Sequence, residues 1–196
     1  MVIGITGGMG CGKSQAAGMV AALGFTLLDS DAMIRERVLR APGVVAAIAE
    51  RFGSEMLAAD GQVDRAALAG LVFPSDEERL WLEQLTHPRL FAAWREEMRT
   101  RPERAWVIEV PLLFEKGLEN WFDFTVCVAC SPVQQLARLE QRGIPRTLAE
   151  QRISKQLPLA TKTELSDIVL WNDGSIEFLQ SQVKLMIDGI LRGHAA

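Results

Sequence analysis

A glycine-rich segment near the start of the chain has the composition of a phosphate-binding loop. Residues 7–14 read G-G-M-G-C-G-K-S and fit the pattern G-x-x-x-x-G-K-[ST]. Glycines let such a loop curl so that its backbone N–H groups point at phosphate oxygens. In this pattern the lysine reaches the β- and γ-phosphates, and the hydroxyl after it ligates Mg²⁺. The segment predicts binding of ATP and Mg²⁺ (with Ser14 as the metal ligand), and the predicted nucleotide contacts are Gly8, Gly10, Cys11, Gly12, Lys13, Ser14 and Gln15.

Carboxylates follow two later predicted strands, where ligands bind in open α/β sheets. If the backbone stays extended through Ser30, Asp29 and Asp31 face one side, and Asp31 then orients an attacking hydroxyl or accepts its proton. The alternative is that an aspartate or Ser30 only caps the helix that starts near Ala32. Glu109, at the end of the third strand, is either an acid linked to Mg²⁺ or a solvated strand end.

Basic side chains cluster between residues 138 and 155. Arg138 and Arg142 lie one helical turn apart, Gly143 ends their helix, and Arg152 and Lys155 repeat the pattern on the next one. This hairpin is a candidate lid that closes on the phosphates and supplies a positive charge. A solvated charged face with acidic neighbours is the alternative.

Short apolar runs alternate with helical patterns along the chain, which indicates an α/β fold with a parallel sheet. The predicted strands are residues 2–6, 26–29, 106–110, 124–129 and 168–171. The phosphate loop lies between the first strand and a helix from Lys13 to Leu23, which is the context the motif requires and disfavours a chance glycine-rich turn. The stretch from the second to the third strand far exceeds the roughly 12 residues of a simple crossover, so we expect a helical insertion. Its predicted breaks are at Pro42-Gly43, Asp60-Gly61, Pro74 and Pro88.

Composition and charge exclude several classes of protein. A formal charge of −4 with a pI near 5.3 disfavours a general nucleic-acid binder. No apolar run is long enough to cross a bilayer, and the first residues do not resemble a secretion signal. Three cysteines, an odd number, then favour reduced thiols and a cytoplasmic location. Cys127 and Cys130 form a CxxC without a second pair of metal ligands, which predicts buried core cysteines, and the lone His87 is structural by default.

Taken together, these segments resemble the dephospho-CoA kinase family over nearly the whole chain. Residues 5–14 are similar to its TGGIGSGKS, and 110–115 to its V-P-L-L-x-E. Further similar segments, in chain order, are 28–32 with Arg35 (D-A-D-x-x-x-R), Asp64-Arg65 with Leu68 and Phe73, Thr86-His87-Pro88, Arg142 with Arg152 and Gln156, and Asp167 with Asn172 and Gly174-Ser175. The phosphate loop alone is common to many nucleotide enzymes, whereas the H-P and P-L-L-x-E elements are more selective.

The resemblance implies a P-loop kinase with a five-stranded parallel sheet, which transfers the γ-phosphoryl group of ATP to the ribose 3′-hydroxyl of dephospho-CoA. It implies catalytic roles for Asp31, Lys13 and Arg142, nucleotide contacts for Arg138 and Asn172, and no nucleic-acid or membrane partner. Acceptor contacts are implied for Thr6, Arg35, His87, Leu112 and Leu113. We expect a core of residues 1–30, 104–135 and 160–196, an acceptor-binding insertion of 31–103, a lid of 136–159, and a monomer or weak homo-oligomer.

Three positions depart from the family pattern. Gln15 stands at a usual threonine, Ser30 at a usual alanine, and Cys11 at a usual serine. Because Cys11 precedes a helix N-terminus, we expect a lowered thiol pKa and alkylation that ATP prevents. Two rival functions remain at this point: a small P-loop kinase for a nucleoside, nucleotide or small alcohol, and a nucleotide-dependent switch, although the N-K-x-D motif of GTPases is absent.

Overall fold

The computed structural model describes residues 1–72 and 74–194, so Phe73 lies outside the described residues. The chain forms two compact units: residues 1–28 with 103–196, called here the phosphate unit, and residues 29–102, called the helical unit. In chain order the strands are β1 (Val2–Gly7), β2 (Thr26–Leu28), β3 (Trp106–Glu109), β4 (Phe124–Ala129) and β5 (Ile168–Trp171). The α-helices are α1 (Lys13–Ala22), α2 (Ser30–Met33), α3 (Pro42–Phe52), α4 (Arg65–Val72), α5 (Asp76–Thr100), α6 (Pro132–Gln141), α7 (Arg146–Ser154), α8 (Leu159–Leu165) and α9 (Ile176–His194).

The phosphate unit is built on a parallel sheet of five strands in the order β2-β3-β1-β4-β5. The predicted α/β fold is thereby confirmed. Beyond the first residue of each strand, the apolar side chains of β1 and β4 are fully buried, as expected for central parallel strands that helices cover on both faces. Ile3, Ile5, Val126 and Val128 pack with Val20 of α1 and further residues of α9 into one core. The sheet thus gives the loop after β1 a rigid base.

The helical unit consists of α2 to α5 and two short turns of other helical types. A π-helical turn (Ile34–Val38) continues α2 directly, and a 3-10 turn (Ser54–Met56) follows α3. Both α2 and the π-helical turn pack against α5, which is the longest helix of this unit. Val44, Ile48, Leu68, Leu90 and Trp94 are among its buried apolar side chains.

The structure corrects the prediction that Pro88 breaks a helix. Helix α5 runs through Pro88. A proline here removes the backbone donor to the Gln84 carbonyl, and two nearby side chains make additional hydrogen bonds to other carbonyls of the helix. Thr86 donates its hydroxyl to the Leu82 carbonyl at 2.7 Å, and Arg89 donates Nη1 to the Leu85 carbonyl at 2.7 Å. The apolar side of the helix also continues past the proline, with Leu90 and Trp94 buried.

Helix α8 was not predicted from the sequence. It begins directly after Pro158 and carries the fully buried Lys162. Among residues 1–72 and 74–194, none of the helices combines the length and apolarity needed to cross a membrane.

Candidate active site: a phosphate-binding cleft

The loop between β1 and α1 forms the floor of a cleft in the phosphate unit. The cleft has a volume of about 490 Å³. Most predicted nucleotide contacts lie in its wall together with a carboxylate from β3 and side chains of α6. The lining residues are Met9, Gly10, Gly12, Lys13, Ser14, Gln15, Glu109, Arg138, Gln141, Arg142 and Asn172.

Two glycines of the loop have conformations that other residues rarely adopt. Gly10 has φ +82° and Gly12 has φ +97°. A side chain at Gly12 would also collide with the amide of Asn172. The loop therefore depends on glycine both for its curled backbone and for the close approach of Asn172.

Two side chains that are far from the loop in sequence hydrogen-bond to its backbone. Asn172 donates Nδ2 to the carbonyl of Cys11 at 2.9 Å, and Gln135 donates Nε2 to the carbonyl of Met9 at 2.7 Å. Within the loop, the Cys11 N–H donates to the Gly8 carbonyl at 3.2 Å. Because the side chains of Asn172 and Gln135 are almost fully buried, they fix the loop backbone before any ligand binds. Gln135 was not singled out from the sequence, and its contact joins segments far apart in the chain.

Lys13 lies across the loop that it follows. Its ammonium group donates to the Gly8 carbonyl at 3.0 Å, and the side chain is largely buried. Burial lowers the pKa of Lys13 below its ordinary value, and the nearby carboxylate of Glu109 partly opposes this shift. An ammonium group held in such a poorly solvated place gains the most from an anionic ligand.

Arg138 and Arg142 both line the cleft, Arg138 from the last turn of α6 and Arg142 from the position directly after that helix. Arg138 donates Nη2 to the carbonyl of Asn172 at 2.8 Å. Its Nη1 is buried and has no hydrogen-bond partner in the part of the chain that the structure describes. Arg142 is exposed at the end of α6. The guanidinium of Arg138 is thus fixed with Nη1 still available as a donor, whereas the exposed side chain of Arg142 is able to reach a ligand.

Ser14 and Glu109 are the groups in the cleft that suit a magnesium ion. Mg²⁺ binds oxygen ligands and usually takes only one or two groups from the protein, with phosphates and water completing its shell. Within residues 1–72 and 74–194 no cluster of three or more His, Cys, Asp or Glu side chains could hold a metal by itself. The donor set fits an ion that arrives with a nucleotide, and Glu109 lies in the cleft wall, which favours the metal-linked alternative over a merely solvated strand end.

The acceptor side predicted for the phosphate unit centres on the turn after β3. Thr6 is fully buried and donates its hydroxyl to the Pro111 carbonyl at 3.3 Å. Leu112 is partly exposed, but the side chain of Leu113 is fully buried, so Leu113 would reach a ligand only through its main chain.

A buried ion pair missed in the sequence anchors this turn. Lys162 of α8 lies 2.7 Å from Glu115 Oε1 and donates to the Pro111 carbonyl at 2.8 Å. The same Glu115 oxygen accepts the N–H of Leu157, which is located between α7 and α8. One fully buried ammonium group thus fixes both the turn and the end of the candidate lid.

In the helical unit, the structure separates the roles of the two aspartates. Asp29 Oδ1 accepts the N–H of Ala32 at 2.8 Å and caps α2. Helix α2 begins at Ser30, so the premise of an extended backbone through Ser30 is wrong. Asp31 lies in the first helical turn with an exposed side chain and is not the cap. Its carboxylate is therefore available for another function.

Arg35 and His87 belong to elements that pack together in the helical unit. Arg35 lies on the π-helical turn and its guanidinium is 3.4 Å from Glu36, a weak exposed pair. His87 lies on α5 with its ring 5.7 Å from that of Phe91. Since α2 and the π-helical turn pack on α5, Asp31, Arg35 and His87 come from adjoining elements.

Comparison with known proteins decides the family. The model of the family described as CoaE, dephospho-CoA kinase, matches residues 1–177. The chain belongs to the dephospho-CoA kinase family. A dephospho-CoA kinase of Thermosynechococcus vestitus is 40% identical over 193 residues, which cover 97% of this chain and 95% of the relative.

Solved structures share the fold of this chain. The crystal structure of TT1252 from Thermus thermophilus has a TM-score of 0.79 at 33% identity and covers 96% of this chain and 97% of its own. A dephospho-CoA kinase from Campylobacter jejuni has a TM-score of 0.74 at 23% identity, with 98% of each chain covered, and supports the fold. The family's activity is ATP-dependent phosphoryl transfer to dephospho-CoA, the last step of coenzyme A synthesis, which decides against the nucleotide-dependent switch.

Proposed function

We propose that this chain transfers the γ-phosphoryl group of ATP to the ribose 3′-hydroxyl of dephospho-CoA and releases CoA and ADP. The observation that carries the proposal is the family match over residues 1–177 together with a phosphate loop that is already held in shape. In the reaction a bond forms between the 3′-oxygen and the γ-phosphorus, and the bond from that phosphorus to the β,γ-bridging oxygen breaks. The hydroxyl proton must leave during the same step.

The phosphate unit supplies the ATP side. Backbone N–H groups of the loop bind the β-phosphate, and Lys13 exchanges the Gly8 carbonyl for phosphate oxygens. Arg138 offers its unpaired Nη1, and Arg142 reaches the transferring phosphoryl group from the end of α6. Because charge on the phosphoryl group shifts during transfer, cations fixed beforehand stabilise the transition state without being reorganised.

Asp31 is the residue of this chain proposed to take the hydroxyl proton. Its carboxylate is exposed and is not used as a helix cap, whereas that of Asp29 is. A carboxylate that accepts a hydrogen bond from the 3′-hydroxyl orients the oxygen for attack and receives its proton. Arg35 and His87, from the adjoining elements, and Thr6, Leu112 and the main chain of Leu113 are proposed acceptor contacts.

Ser14 and Glu109 are the residues of the cleft that would hold Mg²⁺. When bound, the ion supplies positive charge to the β- and γ-phosphate oxygens.

We place the enzyme in the cytoplasm because all three of its cysteines are free thiols. The division into core, acceptor-binding insertion and lid, and a monomeric or weakly associating state, stay proposals.

A coupled assay for ADP tests the proposal directly. Purified protein with ATP and Mg²⁺ is offered dephospho-CoA, a set of nucleosides and small alcohols, or no acceptor. ADP release that needs dephospho-CoA supports it, and ³¹P NMR of the product should show one new phosphomonoester on the ribose 3′-oxygen. Turnover of a nucleoside without turnover of dephospho-CoA would assign the chain to the rival kinase class. Phosphate on any other oxygen would contradict the proposed orientation of the acceptor.

A further inference from the structure

Two thiols from distant parts of the chain meet beneath the phosphate loop. Cys130, which directly follows β4, lies with its sulfur 3.3 Å from that of Cys11 in the loop. The side chain of Cys11 is fully buried and that of Cys130 is 1% exposed. The third cysteine, Cys127, is buried on β4 and serves as an internal comparison. We propose that Cys11 and Cys130 form a redox-sensitive pair, which peroxide oxidises to a disulfide that disables the phosphate loop.

The protonation of the pair suits this chemistry. Cys130 donates its S–H to the sulfur of Cys11, and this contact is the main cause that lowers the pKa of Cys11 to about 7. The ammonium group of Lys13 acts in the same direction, while burial opposes both. Loss of the proton from Cys130 is disfavoured by the same contact, so its pKa is raised. Burial raises the pKa of Cys127 to about 12, which leaves Cys127 inert. The direction of the Cys11 shift agrees with the expectation from the sequence, and the contact with Cys130 adds a cause that the sequence did not indicate.

The reaction is balanced with hydrogen peroxide as the oxidant. The Cys11 thiolate attacks one peroxide oxygen, an S–O bond forms, the O–O bond breaks, and the departing hydroxide leaves as water after protonation. The Cys130 sulfur then attacks the Cys11 sulfur, the S–S bond forms, the S–O bond breaks, and the released hydroxide takes the Cys130 proton and leaves as a second water. Two thiols lose two electrons, and one peroxide becomes two waters.

The burial of both sulfurs selects the kind of oxidant. Cys11 lies between Gly10 and Gly12, which both line the cleft, so a small molecule in the cleft comes close to the buried thiol. A neutral oxidant little larger than water suits such a site, whereas a bulky alkylating agent or a glutathione disulfide does not. Alkylation of Cys11, expected from the sequence, stays a prediction, and the burial of the thiol predicts that it is slow.

Disulfide formation would displace the loop because the two sulfurs must approach further. An S–S bond is about 2.05 Å long, so the sulfurs would have to close by more than about 1 Å from 3.3 Å. Cys130 is located at the end of a central strand, which is held on both sides, so Cys11 is the partner that moves. The Cys11 carbonyl and N–H hold the loop through Asn172 and Gly8. A shift of that size in phosphate-binding groups is enough to cost about 10²-fold in rate.

The test compares wild type with two matched variants, Cys130→Ala and Cys127→Ala, each of which removes one buried thiol from the same segment. After peroxide, intact wild type should lose two hydrogens in mass, and digestion should yield one cross-linked pair of peptides containing Cys11 and Cys130. Kinase activity should fall by about 10²-fold and return with dithiothreitol. Cys127→Ala should behave like wild type. Cys130→Ala should form no cross-link and should add oxygen instead of losing hydrogens. Its oxidation by peroxide should be several-fold slower than that of wild type, because Cys11 has lost the hydrogen-bond donor that lowers its pKa.

The mass measurements need no kinase activity, so they separate this inference from the proposed function. A wild-type protein that gains only oxygen under peroxide, or a cross-linked protein with undiminished activity, would overturn it. Loss of the same number of hydrogens from Cys130→Ala as from wild type would overturn it as well. Should Cys130→Ala fail to fold, Cys130→Ser keeps a small polar side chain and answers the same question through the cross-linked peptide.

Discussion

The phosphate unit and the helical unit hold their functional groups in different ways. In the phosphate unit, the loop backbone is tied by the buried side chains of Asn172 and Gln135, and Lys13 already rests on a loop carbonyl. In the helical unit, Asp31 and the side chain of Arg35 lie at the surface, and Arg35 makes a long contact of 3.4 Å to the exposed Glu36. The first unit is prepared for its ligand before binding, and the second presents groups that a ligand must still order.

This difference suggests which free-energy terms each unit contributes. Donors that are already fixed in a poorly solvated cleft stabilise developing charge without further ordering. Exposed side chains lose conformational freedom when they bind, which reduces the net gain from each contact. We therefore expect substitutions in the phosphate unit to change both turnover and stability, and those of the exposed groups in the helical unit to change turnover with little effect on folding.

The largest effect should come from Lys13→Ala. Removing a buried cation that we propose binds the transferring phosphoryl group should lower kcat about 10³-fold or more even at saturating ATP. Steady-state kinetics with dephospho-CoA measures the change. The control is Lys184→Ala on α9, which removes an exposed lysine and should leave kcat unchanged. A normal kcat with only a raised KM for ATP would show that Lys13 binds substrate and transition state equally.

A second large effect should follow from breaking the buried pair of Lys162 and Glu115. Lys162→Met leaves the Glu115 carboxylate without its cation and should reduce the free energy of unfolding by about 3–5 kcal/mol. Denaturant titration measures it. The double variant Lys162→Met/Glu115→Leu removes both charges and should recover much of the loss. If the double variant is no more stable than Lys162→Met alone, the pair is not the source of the stability.

The contrast between the units also explains how much could be predicted from the sequence. The loop and the strands are local patterns, so the motif at 7–14 and the ranges of β4 and β5 were predicted as the structure has them. The contact of Lys162 with Glu115 and that of Cys11 with Cys130 join segments that only the folded sheet brings together. No spacing rule along the chain indicates either pair.

Competition between two allowed backbone conformations accounts for the two incorrect predictions, at Ser30 and at Pro88. An extended backbone through Ser30 and a helix that begins there are both compatible with D-S-D, and the hydrogen bond from Ala32 to Asp29 decides for the helix. At Pro88, the loss of one backbone donor is outweighed by the buried side of a long helix, which continues past the proline with Leu90 and Trp94. In both cases the sequence presents two allowed local conformations, and contacts outside the motif select one.

Within the helical unit, Asp31→Ala and Asp29→Ala form a matched pair for turnover and folding. Loss of the proposed base should lower kcat about 10²-fold or more and leave the melting temperature nearly unchanged. Loss of the cap should cost about 1 kcal/mol of stability with kcat largely retained. Kinetics and thermal unfolding of both variants test the assignment. Near-normal turnover of Asp31→Ala would remove this residue from the mechanism, whereas a large loss in Asp29→Ala alone would transfer the role to Asp29.

The smallest effects should come from neutralising one structural carboxylate in each unit. Asp167 Oδ2 accepts the N–H and the hydroxyl of Thr125, each at 2.7 Å, and these hydrogen bonds lower the pKa of Asp167 below its ordinary value of 3.8. Because its side chain is largely exposed, Asp167→Asn should cost only about 1 kcal/mol at pH 7. Glu97→Gln, which removes the exposed helical-unit pairs with Arg37 and Arg101, should cost about 0.5 kcal/mol or less.

The pH dependence of Asp167→Asn distinguishes a charge-assisted contact from simple packing. A carboxyl whose pKa is lowered by folding stabilises the protein fully above its unfolded value, and this contribution is lost as the pH falls through the lowered folded value. The gap in melting temperature between wild type and Asp167→Asn should therefore be constant near neutrality and should close on acidification below 3.8. Thermal unfolding at stepped pH measures the gap. A gap that persists unchanged into strong acid would mean that the shape of the side chain, and not its charge, joins β4 to β5.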